Sequence, residues 1–356
     1  MCFEIKRFKK DNINTTKPLV SVIMSVYNSS KYLAAAINSI LKQDYKKFEF
    51  IIINDASNDE SEYLIKSFND SRIIYIKNKN NIGLASSLNI GISIAKGKYI
   101  IRMDADDESI KNRIGIQVKY MEKNLKIGVA GSYFKLIGNI KTYKKLIIRK
   151  AKIKDKEINS QMIFAPCVLH PSVIIRKEIL IKNNIYYNES FRYAQDYDLW
   201  ARLIKVTKIT NIPKVLFKWR ISNQQASNVN RKSQINISKV IQIKILKDLL
   251  GYNPSEEQLR IHSYTISQEK LNVVELRKLD NWLIYILEKS KYSKTYNYMA
   301  LKNECSFHWL NNCLYSLEGT KWIKIYFKSK LGLIRTLKFK HYIIAIKKAM
   351  IFIKNK

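Results

Sequence analysis

Four carboxylates, Asp104, Asp106, Asp107 and Glu108, crowd into one short stretch, IIRMDADDES, of a chain whose formal net charge is +35. Close anions repel and raise one another's pKa unless a cation sits between them. Asp104 and Asp106 stand two apart where an apolar run, YIIRM, gives way to a loop, so both can face one pocket. Carboxylate oxygens suit Mg²⁺ or Mn²⁺, which keep water and take one or two protein carboxylates together with phosphate oxygens. The pair therefore suits a metal–diphosphate complex. A solvated acidic loop or a Ca²⁺ site would show the same triplet, and its position after the apolar run is what favours the first reading. Within the stretch, Asp107 is expected to cap or support the loop and Glu108 to be solvated.

Other residues could share this chemistry. Asp55 closes the run FEFIIIND, where it could accept from a base N–H or a ribose hydroxyl. It could equally cap a helix, as could Ser57 or Asp59. Asp196, in RYAQDYDLWARL, falls in the first turn of a helix, where the dipole favours an anion and a general base would be well placed. Asp198 reads as a simple helix-start acid. His170 precedes Pro171 in an apolar run, which suits a ligand, a base or a satisfied structural histidine. No GxGxxG follows the first strand and no GxxxxGK[ST] occurs, so dinucleotide and P-loop readings lose support.

The elements that must position these residues alternate. Apolar, β-branched runs at Leu19–Val26, Phe48–Ile53, Arg72–Lys77, Lys98–Met103 and Gly128–Tyr133 predict buried strands. Helical spacing between them covers Tyr32–Gln43, Glu60–Phe68, Leu84–Ala95 and Ile114–Asn124. Such alternation predicts an α/β fold with a mostly parallel, Rossmann-like sheet flanked by helices. Tyr27-Asn28, Asn54-Asp55 and Asp104-Ala105-Asp106 then fall at the carboxyl ends of three strands, where such sheets bind ligands. Further on, Lys141–Lys156 predicts a loop or short hairpin, Val168–Arg176 a strand, Tyr193–Val206 a helix and Ile212–Arg220 a strand. Helical patterns then take over, at Ile235–Leu250 and Asn281–Lys289. The polar stretch NQQASNVNRKSQ marks a boundary near 225–232.

Together these pieces resemble family 2 glycosyltransferases of the GT-A fold, the inverting enzymes that use nucleotide-activated sugars. The resemblance runs from Pro18 to Ser227 and rests on SVIMSVYN, IIINDASND, NNIGLASSLNIGISIAKGKYIIRMDADD, LHPSVIIR and AQDYDLWARL, in that order. With the boundary above, it divides the chain into an N-terminal extension over 1–17, a catalytic domain over 18–228 and, beyond the motifs, a basic helical region over 229–356. The resemblance implies that Tyr27, Asn28, Asp55, Asn81 and Asp104 hold the nucleotide sugar, a UDP-sugar, that Asp106 binds Mg²⁺ or Mn²⁺, and that Asp196 is the catalytic base. Gln195, His170 and Arg102 become candidates for acceptor or substrate contact. Two departures stand out. Gln195 replaces the Glu that often precedes the catalytic Asp, and Ser222 stands where many relatives carry a histidine.

The charge and the cysteines bound the rest. Abundant Lys alongside Ile, Asn and Tyr is what A/T-rich codons would give, so the charge does not by itself imply a nucleic-acid partner, and none is expected. Cys2, Cys167, Cys305 and Cys313 show no CxxC spacing, which suits free thiols in a reducing compartment. No run reaches the ~18 apolar residues of a spanning helix, and no signal-type segment opens the chain. From Thr320 to Lys356 there are eleven Lys or Arg and no Asp or Glu, interleaved with Trp322, Phe327, Ile344 and Phe352. Such a helix could pack on the core with a solvated basic face, or lie in an anionic membrane interface. The expectation is a cytoplasmic enzyme, peripheral on the inner face of the membrane, that transfers a sugar to a glycan or lipid-linked glycan of the cell surface, such as lipopolysaccharide or capsule. The alternatives are a sugar nucleotidyltransferase, disfavoured because VYNSSKY lacks a glycine-rich activating loop, and a non-catalytic binder of anionic surfaces or nucleic acid on a degenerate fold.

Overall fold

A computed structural model describes residues 4–7, 17–138, 148–221, 231–267, 269–318 and 321–332. They fall into two compact units: one from residues up to Asp155 and from Cys167–Ser238, the other from Lys156–Pro166 and from Lys239 onward.

The first unit is built on one sheet. Strand β2 (Val20–Val26) lies between β3 (Phe48–Asn54) and β5 (Tyr99–Asp104) and is parallel to both. Its apolar run is buried on both faces, as a central parallel strand requires. Strand β4 (Ile73–Lys77) adds to β3 in parallel, and β1 (Glu4–Arg7) closes that edge antiparallel. On the other side the order is β5, β9 (Ile174–Arg176), β7 (Ile127–Gly138), β10 (Lys208–Ile221) and the two-residue β6 (Glu108–Ser109), with β8 (Ile148–Arg149) paired to β7. The sheet is mostly parallel, as expected, with antiparallel pairing at β1, β6, β8 and β9.

Helices α1 (Ser30–Leu41), α2 (Ser61–Ser67) and α3 (Leu84–Ile94) make the crossovers. Helix α1 buries Leu33, Ala36, Ile37 and Ile40, the face that its spacing predicts. Helix α3 comes so close to β2 that a Cβ on Gly91 would stand 2.5 Å from Ile23 Cγ2. The chain leaves β2 toward β3 and β4, then crosses back to β5 on the opposite side of β2. That reversal is a topological switch point, and the register sets Ser25 beside Asp104 and Val26 beside Asn54. The carboxyl ends of β2, β3 and β5 are therefore level.

Two expectations change in detail. The segment Val168–Arg176 is not one strand: a 3₁₀ turn at His170–Ser172 precedes the short β9, because Pro171 has no N–H to give a ladder. Strand β10 begins earlier than predicted and carries register shifts between Ile212 and Phe217, where Pro213 interrupts the ladder. Strand β8 pairs antiparallel with β7, the hairpin partner that the basic stretch suggested. Helices α4 (Arg113–Lys123), α6 (Lys177–Lys182) and α7 (Gln195–Leu203) complete this unit.

The second unit is helical: most of α5 (Asp155–Met162), then α8 (Arg231–Leu250) from Lys239 onward, α9 (Glu256–Ser263), α10 (Val273–Lys289), α11 (Tyr298–Leu314) and α12 (Trp322–Lys328). Capping boxes at Ser255/Gln258 and Asn272/Glu275 fix two of the starts. The Phe164 ring packs against those of His262 and His308, with centroids 5.4 and 4.2 Å away. Trp282 Nε1 donates to His262 Nδ1 at 3.1 Å, so the other ring nitrogen is the one that donates to the Ile163 carbonyl, also at 3.1 Å. The chain thus enters this unit twice. Among the described residues no helix is long and apolar enough to cross a membrane.

Candidate functional site

Strand β5 delivers Asp104 to its carboxyl end, and β6 pairs Glu108 and Ser109 with Lys218 and Phe217 of β10. The acid loop between them is held at both ends. One carboxylate oxygen from each of Asp104, Asp106 and Asp107 lies within 4.8 Å of the others. Asp104 and Asp106 are half-buried, and Asp107 is buried. Burial, then the neighbouring Asp104, pushes Asp106 up to about 6. Burial, then Asp104 and Asp106, raises Asp107 well above the usual carboxylate range. Asp107 Oδ1 accepts from the Arg220 N–H at 2.7 Å, while its buried Oδ2 has no partner among the described residues. An orphaned acceptor inside three converging carboxylates fits a hard divalent cation, for which oxygen donors are the natural set.

Cations surround the loop. Arg102, buried, pairs with Asp104. Arg220 donates from Nε to the Asp106 carbonyl at 2.7 Å and pairs with Glu108 at 2.9 Å, and its guanidinium lies 4.3 Å from the Tyr32 ring centroid. Lys218 also pairs with Glu108, at 2.8 Å. Glu108 is therefore not simply solvated. Burial alone would raise its pKa, but Lys218 and Arg220 outweigh that and hold it low. Below the loop, Arg113 is fully buried and donates to the carbonyls of Arg102 and Pro171 at 2.9 and 2.8 Å and to Ser109 Oγ at 2.9 Å. Burial pushes its pKa down to about 9.

The loops after β2 and β3 are tied to each other. Tyr27 is 50 % exposed. Asn28 adopts a left-handed backbone, φ +47°; its N–H donates to Ser57 Oγ at 3.1 Å and its Oδ1 accepts from the Asn58 N–H at 2.9 Å. Asp59 accepts from the N–H groups of Ser30 and Ser61 and so serves the starts of α1 and α2, the capping role weighed for this loop. Asp55 is buried. Its Oδ1 accepts from Asn78 Nδ2 at 2.7 Å and the Ile82 N–H at 3.0 Å, and its Oδ2 from the Gly83 N–H at 2.8 Å. Each carboxylate oxygen has two lone pairs, so Oδ2 keeps one. Asn81 is exposed beside it, its amide 3.4 Å from the Asp55 carbonyl.

Asp196 is the second residue of α7, after Ala194 in a left-handed conformation, φ +53°. Burial raises its pKa; the N–H groups of Tyr197 and Asp196 and the charge of Arg102 oppose the rise, and Asp104 adds to it. The last two influences put Asp196 within electrostatic reach of the acid loop. Gln195 beside it is buried, and Asp198 pairs with Arg202 at 2.7 Å. His170 is buried, its Nε2 2.6 Å from Tyr187 Oη and its ring edge-on to Trp200. Burial, then Arg102, holds it well below its usual value, so it is a neutral, satisfied histidine. Tyr187 is pinned to α3, donating from its N–H to Asn89 Oδ1 at 2.9 Å and accepting from Asn89 Nδ2 at 3.0 Å.

The strand ends thus bring Asp104, Asp106 and Asp107 together, with Arg102, His170 and Asp196 in electrostatic contact. Ser222 lies outside the described residues. Sequence reasoning missed Tyr187, Arg113 and Arg220. Arg220, in WRIS at the end of a predicted strand, offered the one usable signal.

Residues 21–183 match the model of glycosyl transferase family 2. An uncharacterized glycosyltransferase of Haemophilus influenzae is 35% identical over 232 residues, covering 63% of this chain and 72% of its own. One from Methanocaldococcus jannaschii is 40% identical over 240 residues, covering 65% and 79%. Among solved structures, residues 1–349 of S. aureus TarS in complex with UDP-GlcNAc superpose with a TM-score of 0.55 at 17% identity, over 81% of this chain and 86% of that one. At that identity the likeness speaks for the fold alone, a GT-A-like one. Relatives so similar over most of their length, and an acidic triad at the switch point of this sheet, place the chain in glycosyltransferase family 2.

Proposed function

We propose that this glycosyltransferase takes a sugar from a nucleoside-diphosphate donor, a UDP-sugar, and passes it with inversion to a hydroxyl of a glycan or lipid-linked glycan. The observation that carries the reading is that the acid triad and Asp196 share one electrostatic field at the carboxyl edge of the sheet. In this reading Tyr27 offers an exposed ring to the base, with Asn28 and Asn81 at the rim, and Asp55 keeps one acceptor on Oδ2 for a base N–H. Asp106, with Asp104 and Asp107 beside it, would hold Mg²⁺ or Mn²⁺. Bound there, the metal would neutralise charge growing on the leaving diphosphate. Asp196 takes the proton from the acceptor hydroxyl as it attacks the anomeric carbon, and its raised pKa makes it a stronger base than an ordinary carboxylate. Gln195 would help orient the acceptor; His170 and Arg102, both buried, support the site from beneath.

TarS was solved with UDP-GlcNAc, which makes uridine donors the first to try. The test is a panel of nucleotide sugars screened for Mn²⁺-dependent hydrolysis and thermal stabilisation. Stabilisation by one donor class only in the presence of metal supports the reading; indifference to every donor and to metal overturns it.

Peripheral contact with an anionic membrane belongs to the same proposal. Helix α12 buries Trp322 and Tyr326 and exposes Ile323 and Phe327 among exposed Lys321, Lys324 and Lys328. An apolar patch among cations suits an anionic interface. The rest of the basic segment, 333–356, lies outside the described residues.

A further inference from the structure

Arg102 stands two residues before Asp104 on β5, so the two side chains leave the strand on one side. The Arg102 side chain is only 3% exposed, against 31% for its partner Asp104, which leaves no surface for a substrate to grip. Its Nε has no partner among the described residues. Its charge acts on Asp106, Asp107, Asp196, Tyr187 and His170 alike. An arginine cannot shed that charge in a protein. A fixed cation therefore stands beside the carboxylates that would receive a metal.

We propose that Arg102 is a positioning residue that makes uptake of metal and nucleotide interdependent. As a resident cation it holds Asp104 in place and weakens the hold of the triad on a bare divalent ion, because like charges repel across a poorly screened interior. A diphosphate brings negative charge that offsets both cations at once. Metal alone then binds weakly, metal with nucleotide binds well, and each ligand raises the affinity for the other by the same factor. This rests on the metal–diphosphate reading above.

The test is calorimetric titration of Mn²⁺ into the full chain, with and without saturating UDP, for wild type, Arg102→Met, Arg102→Gln and Arg102→Lys, each checked by thermal unfolding. Removing the charge should tighten binding of Mn²⁺ alone by about tenfold and shrink the enhancement by UDP by a similar factor, an estimate from the screened Coulomb term. Arg102→Lys, which keeps the charge, should behave as wild type in both. A merely structural arginine would give the opposite sign, weaker metal binding in every variant, and either neutral variant serves if the other does not fold. Unchanged or weaker Mn²⁺ binding in the folded neutral variants overturns the inference while leaving the metal site standing. A wild type that takes up no Mn²⁺, with or without UDP, overturns the metal reading and this inference with it.

Discussion

Asp55 separates two roles that are easily confused, holding a loop and, in the proposed function, holding a base. Its carboxylate receives three hydrogen bonds from inside the protein, from Asn78, Ile82 and Gly83, while 2 % exposed itself. Hydrogen bonds to a charged group contribute about 1.5–3 kcal/mol each. Ile82 is 43 % exposed, so water can replace part of what is lost, and the low end of that range applies. Asp55→Ala should then cost about 4–5 kcal/mol, with three donors left unpaired. Asp55→Asn keeps an acceptor oxygen for Asn78 and Ile82 but turns an NH₂ toward the Gly83 N–H. It should cost about 2 kcal/mol, the loss of one bond. In a domain of this size that corresponds to a fall in Tm of roughly 4–8 °C. Urea unfolding followed by tryptophan fluorescence reads both variants. If Asp55→Ala unfolds within about 1 kcal/mol of wild type, the loop does not depend on this carboxylate and the reasoning is wrong. Nucleotide binding measured on Asp55→Asn below its transition then reports what the last lone pair of Oδ2 contributes.

Other expectations follow from the same geometry. Asp196→Asn should lower transfer by about 10²–10⁴-fold, as loss of a general base does, while nucleotide binding persists; a variant with wild-type turnover removes Asp196 from its role. Because burial raises the Asp196 pKa, the acid limb of the wild-type rate profile should lie above that of an ordinary aspartate, with activity falling as the base is protonated. In the helical unit, burial lowers the His262 pKa from 6.5 to about 4. Between those values the unfolded chain holds a proton that the native one refuses, so stability present above pH 6.5 is lost as pH falls toward 4. The loss should reach about 3 kcal/mol, and His262→Gln should flatten that slope in a pH series of urea melts. Replacing Lys321, Lys324 and Lys328 with Gln should release the protein from anionic vesicles in sedimentation; undiminished binding would leave α12 as a packing helix only.

The parts of the site that lie on strand ends were legible because β2, β3 and β5 are continuous apolar runs whose last residue marks the sheet edge. The polar residues that follow, Tyr27-Asn28, Asp55 and Asp104 to Asp107, have only one place to go. What could not be read was set by pairing across long stretches of sequence. Glu108 meets Lys218 and Arg220 because two residues of β6 find β10, and no local pattern announces so short a strand. The strand expected at Val168–Arg176 is interrupted by the Pro171 turn, and what remains, β9, runs antiparallel between parallel neighbours. Residues 156–166 join the helical unit through Phe164 and Ile163, whose partners His262 and His308 come some hundred or more positions later. A buried phenylalanine looks the same in sequence whichever core it enters.

Backbone strain gathers at the same edge. Asn28, Ala56 and Ala194 are three of the four described non-glycine residues with a left-handed backbone, and they flank Tyr27, Asp55 and Asp196. An L-residue held there costs on the order of 1 kcal/mol. Asparagine tolerates the conformation because its side chain bonds locally, as Asn28 does with Asn58. Alanine has no such means, so Ala56 and Ala194 are held by what surrounds them. Ala56 sits between Asp55, fixed by three donors, and Ser57, whose N–H is taken by Asn54 Oδ1 at 2.9 Å. Ala194 is buried, and its carbonyl accepts the first hydrogen bond of α7 from the Asp198 N–H at 3.3 Å. The effect in each case is to turn the chain sharply at the point where a carboxylate must leave it. Glycine would make those turns without strain, but it would also leave the carboxylate free to sample other directions. The strain is the counterpart of fixing the directions in which Asp55 and Asp196 leave the backbone.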